Sequence, residues 1–224
     1  MKIKKVYLGT QQIRPNNNPN RLVWYKLNWD LKDSSWNWYD LTNAWSTTFT
    51  TLSSWKQVLN IQNTNAYRDI TMDQTKNFTI AWWVRDTASR SGYEDWTYFW
   101  IFTSSDTDYA LLKKSWPSQS NSFYVVIDWG ITWTTITYND TNWHFAVVSY
   151  DRSSSTCKMY IDNTLKVTKT LSQSRTASKL YIWKIWFSNT IKINVWEFIL
   201  DTEIRDTTKI AEHYNSTKSL YGIS

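Results

Sequence analysis

Glycine is what this chain most lacks. It has 4 among 224 residues, where ordinary usage of about 7% would supply roughly fifteen. No glycine-rich run is present that could cradle a phosphate, which excludes a nucleotide loop of that kind. The single cysteine, Cys157, cannot close an internal disulfide, and no Cys/His cluster has metal-ligand spacing. Cys157 is expected in a strand as a small apolar side chain with no local activation. Of the two histidines, His144 lies in an apolar hairpin and His213 in a helical segment. Neither has a serine or cysteine nucleophile in a supporting context. No apolar run approaches a membrane span. The opening MKIKKVYLGTQQIRP carries basic residues without the apolar stretch of a secretion signal. The expectation is a protein that reaches an exposed surface by a route needing no such signal, or else stays in the cytoplasm.

In excess is tryptophan, with 17 residues. The shortage of one residue nearly matches the surplus of the other. The stretch from Leu22 to Asp40, LVWYKLNWDLKDSSWNWYD, shows why this matters. Asn28, Asp30, Asp33, Ser34, Ser35, Asn37 and Asp40 bend chains by bonding nearby backbone. Where a tight turn wants glycine for positive φ, the chain has Trp29, Trp36 and Trp38, and a bulky aromatic suits such a position poorly. UGA is a stop codon in the standard code, tryptophan in some codes and glycine in others. The composition therefore points to UGA glycine codons read as tryptophan. The formal charge is +6. Lysine is spread along the chain without a basic block, which reads as a solvated surface and not a nucleic-acid groove.

From Leu22 onward, runs of 5–8 residues rich in β-branched and aromatic side chains alternate with Ser, Thr, Asn and Asp. That pattern predicts a sandwich or barrel. Predicted strands cover 22–27, 47–51, 57–61, 78–85, 98–103, 109–113, 123–127, 134–137, 143–150, 157–161, 165–170, 180–185 and 191–200. Phe78, Ile80, Trp82 and Val84 share one strand face, as do Cys157, Met159 and Ile161. The segment WHFAVVSY (143–150) is apolar on both faces, which suits a central strand covered on both sides. One helix is expected over 207–214, capped by Asp206, with Ile210, Ala211 and Tyr214 at helical spacing. Residues 1–20 read as an arm, with a short strand at 5–8 and a linker at 15–20. Residues 21–224 read as one domain.

Four segments, in order, resemble the laminin-G-like domains of the concanavalin A-like lectin/glucanase superfamily. With glycine read at Trp29, Trp36, Trp38 and Trp45, the first segment looks like that family's opening strand and Asp-Ser-Ser-Gly-Asn-Gly turn. FTIAWWVR (78–85) resembles its Phe-Thr-Ile…Trp-Val strand. WHFAVVSYDRSSSTCKMYIDNTLK (143–166) resembles its Trp-His…Tyr-Asp…Tyr-Ile-Asp-Gly hairpin, with Asn163 at the turn glycine. The stretch from Leu180 to Asn215 resembles its closing strands and final helix. The resemblance implies an all-β fold, a concanavalin A-like jelly-roll sandwich of two antiparallel sheets with one short C-terminal helix. It also sorts the tryptophans. Trp83 and Trp143 match genuine core positions. Trp29, Trp36, Trp38, Trp45, Trp55, Trp116, Trp183, Trp186 and Trp196 match turns or glycine sites. Trp24, Trp82, Trp96, Trp100, Trp129 and Trp133 stay open. The arm KKVYLGTQQIRP looks like the opening of some phage tail or virion-associated proteins.

The glucanases of the superfamily carry closely spaced acids on one strand. Here Glu197, Asp201 and Glu203 lie at even spacing, but Ile199 fills the middle site and the chain is expected to leave the strand near Leu200. A strand-end acidic patch is the simpler reading, and no catalytic residue is assigned. The resemblance also raises Ca²⁺, with Asp69, Asp73 and Glu197 as candidate oxygen ligands; the same acids serve turns equally well. For sugar contact the candidate ligand-binding aromatics are Tyr93, Tyr98, Tyr109 and Tyr138. The expected function is a non-catalytic module binding a glycan or host-surface ligand on a virion. The alternatives are a purely structural capsid or tail protein, with residues 1–20 contacting other virion proteins, and a glycoside hydrolase. The first check is the gene: UGA is expected at Trp29, Trp36, Trp38 and Trp183, and UGG there would overturn the recoding argument.

Overall fold

The computed structural model describes residues 6–8, 11–13, 18–28, 30–35, 37, 39–43, 48–52, 57–62, 66–67, 70, 77–87, 96–103, 108–114, 122–124, 136–137, 141–170, 177–182 and 192–223. The strands are β1 (Val6–Leu8), β2 (Gln11–Ile13), β3 (Arg21–Tyr25), β4 (Thr42–Asn43), β5 (Thr48–Thr51), β6 (Gln57–Gln62), β7 (Ala66–Tyr67), β8 (Phe78–Asp86) and β9 (Trp96–Thr103). They continue with β10 (Asp108–Lys114), β11 (Ser122–Tyr124), β12 (Ile136–Thr137), β13 (His144–Asp151), β14 (Thr156–Ile161), β15 (Thr164–Thr170), β16 (Ala177–Ile182) and β17 (Lys192–Asp201). Helix α1 (Thr207–Thr217) and a 3₁₀ turn over Lys218–Tyr221 follow. β2, β4 and β7 are too short to have been read from pattern. Each strand expected from the sequence has a described counterpart, with the expected portions at 125–127, 134–135 and 183–185 lying outside the described residues.

All described pairings are antiparallel. An eight-stranded sheet runs β15-β14-β13-β8-β17-β6-β5, with β3 also on β17. A five-stranded sheet runs β12-β11-β10-β9-β16. The fold is a jelly-roll sandwich with one short C-terminal helix, as the sequence predicts. β17 holds the large sheet together. One edge pairs with β8; the other takes β6 along Lys192–Val195 and β3 along Phe198–Asp201. At the changeover a bulge sets Trp196 and Glu197 against the single residue Trp83 of β8.

The large sheet is buried on both faces. Ile80, Trp82, Val84, Ala146, Val148, Cys157, Met159, Val195, Phe198 and Leu200 form the inner cluster. Trp83, Phe145, Val147, Tyr160 and Ile199 face outward, where Ile210 of α1 closes over them. Asp206 caps α1, its carboxylate accepting from Lys209 N at 2.8 Å. Trp83 and Trp143 are both buried, as expected, but under the helix. Trp83 Nε1 donates to Thr217 Oγ1 at 3.1 Å. The Tyr221 ring packs among Trp83, Trp143 and Trp196 at centroid distances of 4.4, 4.9 and 4.9 Å.

Turn chemistry in the opening stretch is largely as the side chains predict. Asp33 accepts from Trp24 N, Ser35 N and Tyr39 N at 3.0, 2.8 and 3.2 Å. Asp40 accepts from Asp33 N at 2.8 Å, and Ser35 Oγ donates to Leu22 O at 3.0 Å. Trp29, Trp36 and Trp38 lie outside the described residues. Within that stretch the described left-handed residue is Leu27, φ 53°. At the β14–β15 hairpin Asp162 and Asn163 have φ 49° and 63°, a two-residue turn with both positions left-handed. Asn163 thus occupies the turn-glycine conformation that the resemblance implied.

The helix-side cluster yields a stability prediction. Ile210→Ala opens a cavity between α1 and the sheet and should cost about 2–5 kcal/mol. Urea unfolding measures the loss. Hydrogen exchange should show α1 losing protection before β8 and β13.

Candidate functional site

The acidic series lies where β17 meets α1. β17 runs to Asp201, one residue past the expected exit. The bulge puts Glu197 on the helix side, together with Asp201. Both carboxylates are buried and both are engaged. Glu197 Oε1 accepts from Trp24 Nε1 at 2.7 Å, and Oε2 sits 2.8 Å from His213 Nε2. Asp201 is fully buried between Arg21 Nε at 2.5 Å and Arg205 Nε at 2.7 Å. Glu203, past the strand, accepts from Asn18 Nδ2 and Asn20 Nδ2 at 3.1 and 3.0 Å and lies 3.4 Å from Lys209 Nζ. Each acid therefore braces the fold. The Asn18 and Asn20 bonds tie the end of the expected linker to the sandwich.

Burial works to raise the Glu197 pKa. The hydrogen bond and charge of His213, with Trp24 Nε1 and Arg21, outweigh it and hold the carboxyl below the ordinary glutamate range. A calcium ion at Glu197 would have to displace Trp24 or His213 from the carboxylate. Among the described residues no three His, Cys, Asp or Glu side chains converge as a metal site. Asp69 and Asp73 lie outside the described residues. His144 Nδ1 is 2.7 Å from Asp162 Oδ2, while Asp162 Oδ1 accepts from Phe145 N at 2.9 Å, so this pair ties the hairpin turn to β13. Cys157 is buried, and burial pushes its thiol up to about 12, which makes it inert as a nucleophile.

Tyr98 lies on β9, and Tyr109 lies on the adjacent β10 opposite Ile101, so both belong to the five-stranded sheet. Tyr93 and Tyr138 lie outside the described residues. Trp24, Trp82, Trp83 and Trp143 offer no bare stacking face. Trp24 carries Lys26 Nζ at 4.7 Å and the Arg21 guanidinium at 5.2 Å from its ring centre. Trp82 and Trp83 are buried, and Trp143 is covered by Arg85 and Tyr221.

A second polar group was not singled out from the sequence. Across the helix side of the large sheet, Thr48, Asn60, Asn194 and Arg85 stand in register on β5, β6, β17 and β8. Arg85 Nε donates to Asn194 Oδ1 at 3.0 Å. Asn194 Nδ2 donates to Asn60 Oδ1 at 3.3 Å, and Asn60 Nδ2 to Thr48 Oγ1 at 3.3 Å. The Arg85 guanidinium lies 5.2 Å over the Trp143 ring. Asn194 is buried, Arg85 and Asn60 are half-buried and Thr48 is exposed, so the row climbs from the packed interior to solvent. Alternation along each strand carried this signal, but only the strand order reveals that the four residues meet.

No family model matches the sequence, and no curated protein matches it. Solved structures do match. One is botulinum neurotoxin type C, which depends on interaction with two ganglioside molecules to get into cells: 15% identity over 90% of this chain, TM-score 0.66. Domain 4 of AbnA, the extracellular GH43 arabinanase of Geobacillus stearothermophilus in complex with arabinotriose, matches at 12% identity over 86% of this chain, TM-score 0.66. A mutant Trypanosoma rangeli sialidase with trans-sialidase activity matches at 12% identity over 92%, TM-score 0.66. The chain spans 52% of the neurotoxin chain and 34% of the sialidase, but 97% of the arabinanase domain. At such identities the likeness is one of fold: the chain is a jelly-roll β-sandwich.

The Glu197 centre gives a pH prediction. Its folded pKa is depressed, so its stabilisation is present above the ordinary glutamate value of about 4.3 and is lost as pH falls through the lower folded value. Glu197→Gln should therefore be least stable relative to wild type near neutral pH. The gap should shrink as the solution is acidified below about pH 4. Urea midpoints at stepped pH measure it.

Proposed function

We propose that this jelly-roll domain is a non-catalytic module that binds a glycan on a host or particle surface. The observation that carries the reading is how charge is distributed on the helix side of the large sheet. Glu197, Asp201 and Glu203 are held by internal donors, which leaves no free carboxylate pair of the kind glycoside hydrolysis uses among them. Arg85, by contrast, keeps guanidinium donors beyond the one given to Asn194, beside a half-buried amide and an exposed hydroxyl. Fixed polar groups of this kind give a binding site its orientation and specificity.

The similar structures support the reading by what they hold. Domain 4 of the arabinanase is matched nearly end to end and was solved with arabinotriose. The neurotoxin chain interacts with gangliosides. The proposed setting is a virion or comparable exposed assembly, supported by the resemblance of the opening arm to phage tail and virion-associated proteins. β1 and β2 form a two-stranded sheet of their own, which suits an arm, over residues 1–20, that contacts a neighbouring protein.

The test is a glycan array with the full chain, paired with a hydrolysis assay. Saturable binding to at least one sugar and no release of reducing ends are expected. An array and host-surface pull-down with no ligand would overturn the reading. Turnover of β-glucan that Glu197→Gln abolishes would replace it with a hydrolase.

A further inference from the structure

From the row of side chains around Arg85 we infer that the ligand is an acidic sugar, one whose carboxylate is received by the Arg85 guanidinium. The inference rests on the glycan-binding reading and names the chemistry of that same site. Arg85 is half-buried, and its described partners are Asn194 Oδ1 and the Trp143 ring. No carboxylate among the described residues pairs with it. Two other arginines, Arg21 and Arg205 at the opposite end of β17, share the buried carboxylate of Asp201. A guanidinium drawn partly out of water without a counter-charge is destabilising, and burial alone lowers its pKa. An anion arriving from outside would supply the counter-charge that the described residues do not.

The geometry fixes which part of Arg85 is offered. Nε is committed to Asn194 and one face lies against Trp143, so the two terminal nitrogens remain as a planar fork. Such a fork matches the two oxygens of a carboxylate. The hydrogen bonds run in one direction, from Arg85 through Asn194 and Asn60 to Thr48. Donors polarised in series strengthen one another, and the chain ends on the exposed Thr48 hydroxyl, which is free to donate onward. A ring that carries a carboxylate and hydroxyls can use both ends of this row. A peptide carboxylate could take the fork but has no hydroxyl array to lay along Asn60 and Thr48.

The experiment compares matched probes by calorimetry with the full chain: sialyllactose against lactose, and tetragalacturonate against its methyl ester. At least one acid is expected to bind about tenfold or more tightly than its neutral partner, the range of a charge-assisted hydrogen bond. Arg85→Gln should remove that preference. Arg85→Lys keeps the charge and the ring contact but loses the fork, so it should fold even where Arg85→Gln does not, and it should bind the acid more weakly than wild type. Thr48→Ala, at an exposed position, should weaken acid binding without changing the urea midpoint. Equal binding of acid and neutral forms, or an acid preference that survives Arg85→Gln, overturns the inference and leaves the glycan-binding reading standing. Preference for a glutamate-rich peptide over every sugar acid also overturns it. Failure of all four sugars here together with an empty array overturns both.

Discussion

The fold depends on one sheet that is buried twice. β8, β13 and β17 carry apolar side chains on both faces, so the sandwich interior alone cannot satisfy them. The outward side chains, Trp83, Phe145 and Ile199 among them, require a second cover, and the chain supplies it with α1 and the 3₁₀ turn. Tyr221 extends that cover over Trp143 and Trp196. The helix is therefore a third layer of the domain, and every polar side chain on that side of the sheet must come to terms with it.

Two solutions are visible. Near the start of β3 and the end of β17, ionised groups are enclosed and matched: Asp201 by two arginines, Glu197 by an indole and an imidazole. Removing either partner of such a pair would leave a charge buried without compensation. At the other end of β17 the solution is a row of neutral amides leading to a cation. The first arrangement is closed and serves stability. The second is open at Thr48 and Arg85, and it is where the domain has polar capacity left over.

Much of this was legible in sequence because the signals were local. Alternation in FTIAWWVR and the two-sided apolar run WHFAVVSY located the strands at the centre of the sheet. Asp206 located the helix start, and Asn163 marked a turn that needs left-handed backbone. What escaped were juxtapositions set by strand order. Glu197, Asp201 and Glu203 looked like an equally spaced acidic face, but the bulge at Trp196 and the approach of β3 and α1 decide what each carboxylate meets. Thr48, Asn60, Asn194 and Arg85 are scattered over nearly 150 positions, and no local pattern joins them. Tryptophan shows the same limit. Trp24, Trp83 and Trp143 have internal partners that a glycine could not provide, whereas the residues of the opening turn on which recoding turned lie outside the described residues.

The central position of β17 has a consequence for how the chain comes off the ribosome. β8 and β13 can pair as soon as both are made, but β3, β5 and β6 join them only through a strand that ends at Asp201. β3 and the β5–β6 pair must therefore wait, synthesised but not joined to β8 and β13, for almost the whole length of the domain. Contacts of such long sequence separation slow folding and keep strand edges exposed. The bonds of Asp33 and Ser35 are local in sequence, so the turn of the opening stretch does not depend on the arrival of β17.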